Sequence, residues 1–185
     1  LASMKQGKAL KEGEREALIR LARRYGPRAL REEDAPIEVT RKLLVALLER
    51  VDGVPPSLGL AQAAIESAWG TSRFVREGNN LFGHWVFSAA KGITPKLRPK
   101  GANYSVARFD DLSESVAGYV TNLNRLWAYG TFRIIRSEMR TNAKDFESLR
   151  LARGLERYSE RRGAYVRDVQ QMIRVNELVK FDALP

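Results

Sequence analysis

Apolar residues recur at helical spacing along most of this chain, and residues 84–110 form the main interruption. A stripe repeating every three to four residues is buried by packing helix on helix, so the pattern points to a helical domain. Over 14–25 the stripe is Ala17, Leu18, Leu21, Ala22 and Tyr25, and Gly26–Pro27 ends it. Pro36 is expected to open a second helix carrying Val39, Leu43, Leu44, Leu47, Leu48 and Val51, with Asp52–Gly53 as its stop. A third is expected over about 57–69, with Ser57 as N-cap and a stripe of Leu58, Ala61, Ile65, Ala68 and Trp69. Further helices are expected over about 112–128, 143–156 and 162–179.

The interruption contains Trp85, Val86, Phe87, Ile93, Tyr104, Val106 and Phe109, broken by Gly92, Pro95, Pro99 and Gly101. Aromatic and β-branched residues between turn formers read as a short, irregular β-hairpin or lobe. The expected fold class is mainly α (α+β): a helical body with a small β-hairpin lobe flanking a substrate groove. Such a groove suits an extended polymer. At 185 residues the chain fits one domain, with residues 1–35 as an N-terminal extension and 36–185 as the main domain.

Composition narrows the chemistry. Cysteine is absent, which excludes thiol catalysis and disulfides, and His84 is the sole histidine. A usual zinc site cannot be built from one histidine, so no metal and no cofactor is expected. His84 itself reads as a polar loop residue. The formal net charge of +10 favours polyanionic partners. No helix gathers its basic residues on one face as a nucleic-acid reading motif, so nucleic acid is set aside in favour of an anionic polymer. No run of about 18 apolar residues is present to span a membrane. The opening LASMKQGK reads as a cut or engineered end, from which a targeting segment is expected to be missing.

The residues with the clearest chemical meaning lie in LGLAQAAIESAWGTSRFVREGNNLFG (58–83). One acid, Glu66, flanks an apolar, small-residue stripe beside Gln62. Gly59, Ala63, Ser67 and Gly70 leave room for something to approach. A carboxyl at the edge of a hydrophobic face holds its proton to higher pH, which is what a general acid needs to protonate a sugar–sugar oxygen. The alternative is an ordinary solvated helix glutamate.

Four blocks, AQAAIESAWGTSRF (61–74), GNNLFGHWVF (78–87), SVAGYVTNLNRLWAYGTFR (115–133) and YSERRGAYVRDVQQMI (158–173), resemble the Bax-like branch of the bacterial glucosaminidase family. Its members cut peptidoglycan. The resemblance covers roughly residues 50–175 and implies a lysozyme-like fold, with Glu66 as catalytic acid and Asn79, Asn80 and Phe82 lining the sugar cleft. It also implies a tyrosine close to the acid, with Tyr158 the first choice and Tyr165 the second. Trp85 is the best candidate for a sugar platform at the cleft edge. All the same, Trp69, Phe82, Trp85 and Tyr119 read more readily as core. The implied partner is the peptidoglycan glycan strand, and the implied location is periplasmic or secreted.

The chain departs from many such enzymes in one respect. No Asp or Glu lies between Glu77 and Asp110; the stretch carries Lys91, Lys96, Arg98, Lys100 and Arg108 instead. A two-carboxylate scheme therefore does not transfer. The expected activity is endo-β-N-acetylglucosaminidase. A lytic transglycosylase on the same scaffold and a non-catalytic wall-binding module are the alternatives.

Overall fold

A computed structural model describes residues 11–27, 30, 37–87, 92–96, 98–99, 101–142 and 147–183. Helix α1 (Glu12–Tyr25) packs on α2 (Arg41–Arg50) through Leu18, Ala22, Leu43, Leu44 and Leu47. The second helix starts later than expected. Thr40 caps it, its hydroxyl accepting from the Leu43 N–H, while residues 37–40 are not helical. Pro36 lies outside the described residues.

Helix α3 (Pro56–Ser67) ends two residues short of expectation, and Ser57 is not its N-cap. Pro55 holds that position. The orphan donors of the first turn are met from the far end of the chain, where the Asp182 carboxylate accepts from the Ser57 N–H at 2.8 Å and its hydroxyl at 2.7 Å. Short helix α4 (Arg73–Gly78) follows, capped by Ser72.

The lobe is a three-stranded antiparallel sheet, not a simple hairpin. Strand β3 (Ser105–Ala107) lies between β1 (Trp85–Val86) and β2 (Gly92–Ile93). Gly92 is required there, because a Cβ would sit 2.6 Å from that of Ser105.

Helix α5 (Leu112–Arg125) is capped by Asp111 and is shorter than expected. A 3-10 turn (Trp127–Tyr129) leads into α6 (Gly130–Thr141), a helix the sequence reading did not anticipate. Its buried positions are Phe132, Arg133, Arg136 and Met139, so two arginines interrupt the apolar stripe. Arg136 is fully buried. It donates to the Glu49 and Arg50 carbonyls at the end of α2 and to those of Asp52 and Gly53. These acceptors are what the last turn of a helix leaves unpaired. Arg140 completes the corner with a bidentate contact to Asp52, both bonds 2.9 Å. Burial pushes the Asp52 carboxyl up, but hydrogen bonds from Arg140 and the Gly53 N–H and the nearby guanidiniums outweigh it and hold its pKa below 3.8.

Of the helix expected over 143–156, residues 143–146 lie outside the described residues. The remainder is α7 (Ser148–Leu151) and a 3-10 turn (Ala152–Leu155). Helix α8 (Gly163–Val175) and the 3-10 turn Leu178–Phe181 close the chain. The main core joins α3, α5, α6, α7 and α8 around Leu58, Leu123, Phe132, Leu155 and Ile173. The architecture is mainly helical with a small β-lobe.

Gly154 lets two segments touch: a Cβ there would lie 2.3 Å from the Phe132 Cα. Gly154→Ala is expected to destabilise the fold by about 1–3 kcal/mol or more through overpacking, read as a lower urea midpoint. His84 packs between Phe82 and Phe109 and against Gly118, and burial pulls its pKa from 6.5 down to about 4. The unfolded chain therefore takes up this proton first. Its contribution to stability is complete above 6.5 and is lost as pH falls through about 4. His84→Asn should flatten that part of the stability–pH curve, while the weakening from Asp52 begins only near 3.8 and below.

Candidate active site

Glu66 sits in the last turn of α3, and the backbone stops being helical after the next residue, Ser67. Ala68 and Trp69 both adopt left-handed conformations (φ 50° and 57°), and Gly70 follows at φ 78°. Non-glycine residues pay roughly 1–2 kcal/mol each for that region. The turn is held by Ser67, whose hydroxyl donates to the Ala63 carbonyl and accepts from the Gly70 N–H. Trp69 consequently leaves the helical stripe and is 64% exposed. The negative pole of the helix end adds to the reasons for Glu66 to stay protonated.

The loop after α4 lies across this helix end. Asn79 is left-handed (φ 51°), and its side-chain N–H donates to the Phe109 and Asp110 carbonyls. Asn80 is buried and uses both ends of its amide. It donates to the His84 and Ala107 carbonyls and accepts from the His84 N–H. The structure thus gives both asparagines to bracing the loop on the lobe. The Phe82 ring is also buried, stacked on Tyr119 with centroids 4.1 Å apart. What this loop presents to Glu66 is backbone: a Cβ on Gly83 (φ 66°) would lie 3.8 Å from Glu66 Oε2. Glycine therefore leaves the carboxyl uncovered.

Three tyrosines surround the acid. Tyr165, from α8, donates its hydroxyl to the Glu66 carboxylate. The same oxygen accepts from Gln62 Nε2 at 2.9 Å, and Gln62 Oε1 accepts from the Tyr119 hydroxyl at 2.7 Å. Tyr158 stacks parallel on Tyr165, 5.4 Å between centroids, and donates to the Phe82 carbonyl at 3.1 Å. Tyr129 lies near enough for the Glu66 charge to raise its pKa, which burial and that charge together bring to about 12. Its hydroxyl has no partner among the described residues.

Burial pushes the Glu66 pKa up, and the Tyr165 hydrogen bond partly opposes the shift. Burial likewise raises the pKa values of Tyr158 and Tyr165, so all three phenols stay neutral near pH 7. The result is a carboxyl poised to hold a proton, with a neutral donor ready to stabilise the carboxylate once the proton leaves.

Residues 43–178 match the family described as mannosyl-glycoprotein endo-beta-N-acetylglucosaminidase. The chain belongs to the glucosaminidase family. It is also 40% identical over 119 residues to Protein bax of Escherichia coli (strain K12), covering 64% of this chain and 42% of that protein. The chain thus spans about two fifths of the length of that relative. No solved structure matches.

Of the anticipated site residues, the fold gathers Glu66, Tyr158, Tyr165 and the Phe82 backbone. Trp85 is exposed, in ring contact with Tyr104, and lines a different hollow with α5 and Arg24. Tyr129 and the Gln62–Tyr119 pair were not anticipated as site residues. Gln62 carried a signal, because it lies one turn before Glu66 on the same helix. A cavity of about 630 Å³ lies elsewhere, between Pro55, Arg140 and Val179. Its walls contain none of these groups.

Gln62 cannot reverse its amide while Tyr119 donates to Oε1, and this keeps the Tyr165 proton directed at Glu66. Tyr165→Phe is expected to move the Glu66 titration, followed by carbon NMR of the side-chain carboxyl, to higher pH. Tyr119→Phe, which frees the amide to turn and draw that proton away, should shift it the same way by less. A titration unchanged in both variants would dissolve the chain of bonds.

Proposed function

We propose that this protein is a glycoside hydrolase that cuts N-acetylglucosaminyl bonds in peptidoglycan, with Glu66 as the general acid. The observation that carries the reading is the half-buried Glu66 carboxyl, held by Tyr165 and left uncovered by Gly83. Glu66 gives its proton to the glycosidic oxygen as the C1–O bond breaks, and the leaving sugar departs as a neutral alcohol. Tyr165 then stabilises the carboxylate left behind.

Among the described residues, the groups whose pKa is raised by the Glu66 charge are tyrosines: Tyr129, Tyr158 and Tyr165. With no second carboxylate among them, the positive charge growing at C1 is best met by the substrate's own 2-acetamido oxygen. Tyr129, whose hydroxyl is free, is placed to orient that group. Tyr158 already donates to Phe82 and is left to pack the site. Water, deprotonated by the Glu66 carboxylate, would complete hydrolysis.

The same single acid also suits a lytic transglycosylase, in which the muramic acid 6-hydroxyl replaces water and closes a 1,6-anhydro ring. Substrate location places the protein in the periplasm or outside the cell. Among the described residues no helix is long and apolar enough to cross a membrane.

Glu66→Gln should lower release of reducing ends or anhydro ends from purified peptidoglycan by about 10²–10⁴-fold with the fold unchanged. Mass spectrometry of the wild-type products separates the two chemistries, since the anhydro product lacks one water. Full activity in Glu66→Gln would refute the assignment. The wild-type rate should fall as pH rises through the raised Glu66 pKa, because the acid must be protonated to act.

A further inference from the structure

A second hollow, of about 280 Å³, shares the wall formed by Tyr158. Its lining includes Trp127, Arg157, Glu160 and Arg162. The volume lies just below the roughly 300–1,000 Å³ of ligand pockets, which suits one sugar ring better than a longer segment. Trp127 is 76% exposed, a costly placement for an indole in a chain with so few tryptophans. The Arg157 guanidinium stands over the Trp127 ring, 4.8 Å from its centroid. A guanidinium held over an aromatic face keeps its N–H groups available for a carboxylate, whose two oxygens match its fork.

Arg162 adds an independent observation. Its backbone sits at φ 50°, ψ −122°, the first central position of a turn closed by the Ala164 N–H on the Arg161 carbonyl. Turns of this geometry strongly favour glycine there. Glycine is the very next residue, so the chain holds an arginine in the strained position and glycine beside it. Strain retained at an exposed site points to use of the side chain. Arg161 is occupied by Asp168 at 2.7 Å. Neither the Arg157 nor the Arg162 guanidinium has a hydrogen-bond or ion-pair partner among the described residues. Two free guanidiniums against the single carboxylate of Glu160 leave the hollow net positive.

We infer that this hollow is a subsite for a sugar ring bearing a carboxylate, placed beside Glu66 through Tyr158. Trp127 meets the apolar edge of the ring, and Arg157 and Arg162 hold the carboxylate. The inference rests on the glycan-cleaving reading and narrows its substrate: the glycan must carry an acid next to the bond that is cut. In a wall polymer that acid is either the lactyl carboxylate of an unsubstituted muramic acid or a carboxylate of its attached peptide.

The test is binding calorimetry in the Glu66→Gln background, where turnover is suppressed. The probes are chitotetraose, a peptide-free GlcNAc–MurNAc tetrasaccharide, and the same tetrasaccharide with peptide stems. At least one acidic glycan is expected to bind about tenfold or more tightly than chitotetraose. The tighter of the two identifies which carboxylate is held. Adding Arg162→Gly or Arg157→Gln should abolish the preference, bringing the acidic glycan to the affinity of chitotetraose measured in the same variant. The Arg162→Gly protein should melt at or above its parent, because the strained turn now has the residue it favours. Equal affinity for all three glycans, or a preference that survives both arginine substitutions, overturns the subsite. These binding results do not depend on turnover, so activity retained by Glu66→Gln would fail the catalytic assignment separately.

Discussion

The hydroxyl of Tyr165 is the joint on which the site depends. It accepts from Gln62 and donates to Glu66, two residues one turn apart on α3, while its own ring is anchored in α8. A phenol buried this deeply must place its polar end, and here it does so between an amide and an acid. The contact fixes the rotation of α8 against α3 at the level of the carboxyl. It also opposes the effect of burial on Glu66, so the acid is less reluctant to ionise than its surroundings alone would make it. Tyr119 extends the restraint to α5 by setting the sense of the Gln62 amide. Three helices thus meet through one line of hydrogen bonds that ends at the carboxyl.

Access to that carboxyl depends on where the chain tolerates unfavourable backbone. Left-handed Ala68 and Trp69 end α3 abruptly, and the loop carrying Gly83 crosses the gap this creates. The loop itself is fastened by Asn79, Asn80 and Ser115, so the lobe and the helical body reach Glu66 as one surface. Arg162, which lines a hollow with Tyr158, also holds a positive φ, in a turn of a different type. Local conformational cost gathers around a single tyrosine cluster.

The high positive charge has a structural share as well as an electrostatic one. Arg133 and Arg136 are buried and bind backbone carbonyls at the ends of α5 and α2. Burial lowers the pKa of both to about 10, which still leaves them charged near pH 7. Part of the formal +10 therefore neutralises helix ends inside the fold, and it overstates the field an outside polyanion would meet.

The amphipathic stripes were enough to assign most helices and to place a solitary acid on the flank of α3, because the helical period fixes which residues share a face. The same period did not reveal α6, since two of its buried positions hold Arg133 and Arg136, and a buried arginine makes sense only once the carbonyls it caps are in place. Residue type also suggested asparagines for sugar binding, yet Asn79 and Asn80 are occupied by backbone groups up to 31 residues away. Nor could spacing show that Tyr165, and not Tyr158, reaches Glu66. That choice depends on how α8 is rotated against α3 and on a glutamine lying between them. Short-range periodicity is written residue by residue along the chain. The meeting of distant faces, and the hydrogen bonds made there, exist only after packing.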